Sequence, residues 1–140
     1  MLTTPDSLIQ KISDQNPRFE RGAYYFVLAA LQFTQQKIMG EEKLKTLRHV
    51  SGQELARGMR DYALREYGPS AMMVFDCWGV RSTFNFGQIV YELISVGLVG
   101  KTENDRLEDF KDVYDFKEEF ISKNKVEIKD KSLSPLTSNL

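Results

Sequence analysis

Residues 20–39 read ERGAYYFVLAALQFTQQKIM and predict one long helix near the centre of the domain. Its apolar side chains recur around most of the helix circumference, and a helix of this kind is surrounded by other elements. Gly40 is the expected stop signal after it. We therefore expect a mainly α protein, a compact helical bundle arranged around residues 20–39.

The clearest helix start in the chain is VSGQEL, residues 50–55. Ser51 and Glu54 have the spacing of a capping box, in which each side chain accepts a hydrogen bond from the backbone N–H of the other residue. The helix that begins there should end at Gly68-Pro69, because proline does not continue a helix.

Three further regions complete the predicted bundle. Short helices are expected over about 70–78 and 83–96, with a turn at Gly79-Val80 between them. Gly97 fits the left-handed position after the second of these helices, and Leu98 fits the hydrophobic contact beyond it. Residues 98–116 are compatible with two short helices, which we favour, or with a small β-hairpin. The predicted organisation is an N-terminal helical segment (1–15), a single helical domain (16–122) and a flexible polar tail (123–140).

Composition excludes several functional classes. The 140 residues carry a formal net charge of −1, one cysteine and one histidine. A zinc site with about four cysteine or histidine ligands is therefore excluded, and no cofactor is expected. Cys77 lies in an apolar run and is predicted to be a buried thiol in a reducing compartment. The amino end does not resemble a signal peptide, and residues 22–36 form too short an uncharged run to span a bilayer, so a cytoplasmic location is expected.

Several short motifs together resemble a small bacterial family of unknown function. They are HVSGQEL (49–55), YGP (67–69), WGV (78–80), FGQIV (86–90), GL (97–98), KT (101–102) and VYDF (113–116). The resemblance covers about residues 15–120 and implies one compact domain in a bacterial protein. It implies no activity.

Two groups of residues raise the question of catalysis or metal binding. His49 lies close to Ser51 in the sequence, but Ser51 is better explained as a helix cap than as an activated nucleophile. An acidic segment could attract a hard cation, but it lacks the glycine of an EF-hand loop, so we interpret it as a solvated face or a set of helix caps. The acidic residues are Glu103, Asp105, Glu108, Asp109, Asp112 and Asp115.

The three helices over 52–67, 70–78 and 83–96 resemble a helix-turn-helix unit, and Gly97-Leu98-Val99 could lead into a wing strand. Helix 83–96 would then be the recognition helix, with Asn85, Gln88 and Glu92 facing outward. The residues expected to contact nucleic acid in that case are Arg57, Arg60, Arg81, Asn85, Gln88 and Lys101. Against this, helix 83–96 carries no basic residue, and the acidic segment would repel phosphates.

The sequence therefore favours a non-enzymatic interaction module that binds a protein partner or itself. The alternative is a transcription-related nucleic-acid-binding protein. The exposed surface should discriminate between them: a shared basic face favours nucleic acid, and an exposed apolar patch favours a protein partner. A pocket that collects His49 and carboxylates would favour a third class, an enzyme.

Overall fold

The computed structural model describes residues 4–123, and the predicted central helix is α2 (Arg21–Glu41). Its inward residues occupy several faces, as the sequence predicts: Ala23, Tyr24, Phe26, Val27, Ala30 and Thr34. Gly40 does not stop the helix, which continues one residue further before the chain turns at Lys43 with φ 54°. The prediction of a mainly α bundle is confirmed.

Helix α1 (Pro5–Gln15) begins with a capping box at Thr4 and Ser7. Ile9 and Ile12 point into the same hydrophobic core as α2. The N-terminal segment, predicted from the sequence to be helical, therefore packs against the rest of the domain.

Helix α3 (Gly52–Tyr67) begins with the predicted capping box. The Glu54 backbone N–H donates to Ser51 Oγ at 3.1 Å, and the Ser51 N–H donates to Glu54 Oε1 at 3.0 Å. After α3, a single 3₁₀ turn, Gly68–Ser70, leads into α4 (Ala71–Trp78).

Helices α4 and α5 (Thr83–Ser95) end in the same way. Gly79 and Gly97 both have left-handed φ angles, of 81° and 82°. In each case the next residue donates back across the turn: Val80 N to Phe75 O at 2.9 Å, and Leu98 N to Leu93 O at 3.0 Å. These six-to-one hydrogen bonds define a Schellman ending and confirm the turns predicted from the two glycines.

The prediction that Cys77 is buried is wrong. Helix α4 turns Ala71 and Phe75 inward, which leaves Met73 and Cys77 exposed one turn apart on its outer face. An apolar sequence run indicated burial for all these residues, but a helix on the outside of a bundle buries only one of its faces.

Aromatic side chains fill the core where α2, α4 and α5 meet the end of the described chain. Phe75 lies at their centre, 5.3–6.0 Å from each of five other rings: Phe26, Trp78, Phe86, Phe116 and Phe120. Several of these contacts are edge-to-face, the arrangement that aromatic quadrupoles favour. We call these six rings the aromatic core.

Residues 98–116 contain no β-hairpin, and residues 97–99 form no wing strand; no strand occurs anywhere in residues 4–123. A 3₁₀ turn forms at Leu107–Phe110, but Thr102 and Asp105 make only a turn, in which the Asp105 carboxylate accepts from Thr102 N. Asp115 does cap a helical turn, which passes into a π-helical turn at Glu118–Ser122. Of the predicted flexible tail, residues 124–140 lie outside the described residues.

Candidate ligand pocket

A pocket of about 260 Å³ lies between α2, α3, α5 and the segment 99–110, which we call the covering segment. Seven of its lining residues are aliphatic or phenylalanine: Leu31, Val50, Leu55, Val90, Ile94, Val99 and Phe110. Helix α2 contributes Leu31, α3 contributes Leu55 and α5 contributes Val90 and Ile94, and the covering segment closes the remaining side. An apolar interior with a few polar groups is typical of small-molecule sites.

The covering segment is anchored by Phe110, whose ring lies in a slot between α3 and α5. A Cβ atom at Gly87 would lie 2.7 Å from the Phe110 side chain, and one at Gly52 would lie 3.0 Å from its ring. Only glycine leaves room for the ring at these two positions. Thr83 adds two hydrogen bonds, donating to Phe110 O at 2.6 Å and accepting from Val113 N at 3.2 Å.

The middle of the covering segment is held by His49. Its Nε2 lies 2.8 and 2.9 Å from the two carboxylate oxygens of Asp105. Burial tends to raise the pKa of Asp105, but the Thr102 backbone N–H and His49 lower it by more. His49 is 43% exposed and Asp105 19%, so the pair lies at the solvent-facing edge of the pocket.

Charged groups on the pocket rim belong mostly to the covering segment. Lys101 and Arg106 carry positive charge, and Asp105 and Asp109 carry negative charge. Asp109 accepts from Arg106 N at 3.1 Å. The Lys101 ammonium lies 6.0 Å from the centre of the Tyr91 ring, a cation–π contact. The Arg106 guanidinium makes no hydrogen bond or ion pair within residues 4–123.

Tyr91 lines the pocket, and its hydroxyl group has no hydrogen-bond partner among the described residues although it is covered from solvent. An unpaired covered hydroxyl destabilises a protein by about 1–3 kcal/mol. Burial raises the pKa of Tyr91, and the negative charges of Asp105, Asp109 and Glu108 raise it further. Tyr91 is therefore a neutral hydrogen-bond donor at physiological pH.

The catalytic hypothesis drew on His49 and Ser51, and the structure gives them separate tasks. Ser51 accepts the capping hydrogen bond of α3, while His49 faces Asp105 across the pocket edge. The pocket does bring His49 together with two carboxylates, Asp105 and Asp109. Within residues 4–123, no three histidine, cysteine, aspartate or glutamate side chains are grouped so that they could hold a metal ion.

The predicted nucleic-acid contacts fall into three places. Arg81, Asn85 and Gln88 form one local network: Arg81 N donates to Asn85 Oδ1 at 2.8 Å, and Asn85 Nδ2 donates to Gln88 Oε1 at 2.9 Å. The prediction that Asn85 faces outward is wrong, since it is 8% exposed. Helix α5 is buried on several sides, between α2 and the covering segment, and so lacks the open face of a recognition helix.

Two of the four basic residues of that prediction are paired with carboxylates. Arg60 lies 3.0 Å from Asp61 and 3.8 Å from Glu119, and Arg81 lies 3.3 Å from Asp76. Arg57 is exposed and has no ion pair within the described part of the chain. Lys101 lies apart from the others, at the pocket.

Sequence reasoning missed Tyr91, Arg106 and the Phe110 slot. One signal was present: Gly87 interrupts a strongly apolar helix, where glycine is less favourable than alanine by about 1 kcal/mol. A glycine inside a helix often marks a close approach of another element. Nothing in the local sequence indicates that Tyr91 has no hydrogen-bond partner.

Comparison with protein-family models, curated proteins and solved structures gives no match. The resemblance to a bacterial family stays a prediction. No helix within residues 4–123 has both the length and the apolar character needed to cross a membrane.

Proposed function

We propose that the protein is a non-enzymatic binding module and that the pocket beside α5 holds a small molecule with an apolar body. The observation that carries this proposal is the cavity of about 260 Å³, whose lining combines apolar side chains with polar ones. An apolar cavity of roughly 150 Å³ accepts benzene. A pocket larger than that has room for a substituted aromatic ring or a short branched chain.

The pocket meets the condition given above for an enzyme, because it collects His49 with Asp105 and Asp109, but the proposal assigns no chemical step to it. In support, the Ser51 hydroxyl is committed to the start of α3, and the His49 ring is committed to the covering segment. A hydrolytic activity that is lost in the Ser51→Ala variant would overturn the non-enzymatic part of the proposal.

Titration with toluene, followed by amide chemical shifts in NMR spectra, tests the pocket. We expect shifts confined to the lining residues and a dissociation constant of about 1 mM, because so small a ligand gains little binding free energy. The Ile94→Trp variant places a large ring in the pocket and should abolish the shifts. The matched control is Met73→Trp, which adds the same ring on the outer face of α4, where Met73 is 68% exposed. Shifts scattered over the surface, or none in the wild type, would refute the proposal.

The proposal of a protein partner or of self-association, made from the sequence, rests on a different part of the molecule. Met73 and Cys77 expose apolar surface on α4, and Leu47 and Ile121 are further exposed apolar residues. Sedimentation velocity at increasing concentration tests self-association. A monomer at every concentration, together with no retained partner in pull-downs, would count against it.

Nucleic-acid binding through α5 has less support, because the side chains proposed to read bases already bond to one another. Fluorescence anisotropy with labelled duplex DNA at low and moderate salt tests it. Binding that weakens steeply with salt and falls further in Arg57→Ala would support this alternative. A flat signal at low salt would eliminate it.

A further inference from the structure

We infer that the ligand of the pocket is uncharged and carries a carbonyl-type hydrogen-bond acceptor beside its apolar body. The inference rests on the proposed binding function and adds the chemical class of the ligand. It follows from two features of the lining: the covered Tyr91 hydroxyl lacks a partner among residues 4–123, and the charges are balanced or already engaged.

The lining contains two donors without a protein partner. The Tyr91 hydroxyl is covered from solvent and has no partner within residues 4–123, and the exposed Arg106 guanidinium makes no hydrogen bond there either. The two carboxylates of the lining, by contrast, already accept hydrogen bonds. Asp105 accepts from Thr102 N and contacts His49, and Asp109 accepts from Arg106 N. A ligand that supplies a hydrogen-bond acceptor would therefore pair with a donor that has no partner in the protein.

The charge distribution indicates that the acceptor is neutral. The two positive side chains of the rim, Lys101 and Arg106, balance the two negative ones, Asp105 and Asp109. Glu103 and Glu108 are exposed and add further negative charge to the covering segment. A carboxylate ligand would enter this negative region at a cost, because its own hydration is lost as it does so.

A cationic ligand is disfavoured for a different reason. Its two natural partners in the pocket are occupied by the protein itself: Lys101 lies against the Tyr91 ring, and the Asp105 carboxylate is held by His49. An ammonium group would have to displace one of these contacts. An amide, ketone or lactone oxygen displaces neither.

Four benzene derivatives of similar size separate these possibilities: benzamide, benzoate, benzylamine and toluene. Each is titrated into the full chain at pH 7, and its dissociation constant is measured from the amide shifts of the pocket-lining residues. We expect benzamide to bind about tenfold more tightly than benzoate or benzylamine, and more tightly than toluene. A factor of ten corresponds to about one good hydrogen bond.

The Tyr91→Phe variant then tests the hydroxyl. It should weaken benzamide about fivefold and leave toluene unchanged, since toluene has no acceptor. Ile94→Trp, which fills the pocket, should abolish the binding of both. An amide spectrum that keeps the dispersion of the wild type establishes that each variant is folded.

The outcomes distinguish the two proposals. Toluene binding in the pocket without any preference for benzamide would overturn the ligand class and keep the pocket. Benzoate binding as tightly as benzamide, or an equal loss of toluene and benzamide in Tyr91→Phe, would also overturn the ligand class. Absence of pocket shifts with all four probes would overturn the proposed function together with this inference.

Discussion

The aromatic core and the pocket share helices α2 and α5 but are packed in opposite ways. Around Phe75, rings contact one another on every side. Two tyrosines of the packed region have hydrogen-bond partners: Tyr24 donates to Glu92 at 2.6 Å, and Tyr114 donates to Ala56 O at 2.7 Å. Beside Tyr91, by contrast, a cavity is left open and a hydroxyl has no partner. Close packing holds the fold together, and incomplete packing leaves a place for a ligand.

The largest expected effect is a difference in the stability that is lost when a side chain is truncated in the aromatic core or in the pocket. Phe75→Ala should lower the free energy of unfolding by about 3–5 kcal/mol, because the surrounding rings cannot collapse into the space. Ile94→Ala should cost only about 1–2 kcal/mol, less than is usual for isoleucine, because one side of Ile94 already borders the pocket. Urea unfolding followed by circular dichroism measures both. Equal losses would show that the pocket is as well packed as the core.

A pair of tyrosine variants sharpens the comparison. Tyr24→Phe should destabilise the protein by about 1.5–3 kcal/mol, because its hydroxyl donates to a carboxylate in a buried position. Tyr91→Phe should be neutral or stabilising, because it removes a covered hydroxyl that has no partner in residues 4–123. The same urea experiment gives both values. A loss in Tyr91→Phe as large as that in Tyr24→Phe would mean that the hydroxyl is satisfied in solution, and would weaken the inferred ligand class.

The start of α3 forms one wall of the pocket. We expect its capping hydrogen bond to make a moderate contribution to the free energy of unfolding. Ser51→Ala removes the acceptor for Glu54 N and should cost about 1 kcal/mol. The matched control is Ser95→Ala, which changes an exposed serine at the end of α5 and should cost less than half as much. If Ser51→Ala has no effect on the urea midpoint, the capping hydrogen bond does not stabilise the helix.

The smallest expected effect is a pH dependence of the protein's stability, which arises from Glu54 at the start of α3. The Arg48 side chain, which lies 2.8 Å from Glu54, lowers the pKa of Glu54 from its ordinary 4.5 to about 2. A carboxyl group whose pKa is lower in the folded protein stabilises it above pH 4.5, and this contribution is lost as the pH falls towards 2. Glu54→Gln should therefore lose less stability than the wild type between these pH values. Glu103→Gln, at an exposed carboxylate without an ion pair among residues 4–123, should behave like the wild type. Parallel acid losses in all three proteins would contradict the assignment.

The parts of the fold that the sequence predicts are those held by near neighbours. The cap of α3 depends on residues three apart, and the endings at Gly79 and Gly97 depend on bonds that span a single turn. The direction of Asn85 was mispredicted because α5 is buried on several sides, and the helical period does not identify a solvent face in such a helix. The exposure of Cys77 was missed for a related reason, since the apolar run of α4 does not show which face packs.

The pocket could not be predicted, because it depends on contacts between distant parts of the chain. His49 and Asp105 are 56 positions apart, and both had been considered separately for other roles. The unpaired state of Tyr91 depends on how the covering segment lies above it. Only the glycine inside FGQIV indicated in advance that something packs closely against α5.

The close fit of Phe110 against two glycines has a consequence for the evolution of the protein. The covering segment lies against α3 and α5 because two positions lack a side chain, and the codon for glycine is one base away from that for alanine. A single inherited change at Gly87 would push Phe110 out and open one side of the cavity, while the ring cluster around Phe75 stayed in place. A lineage could thus lose the ability to hold a ligand and still inherit a stable protein.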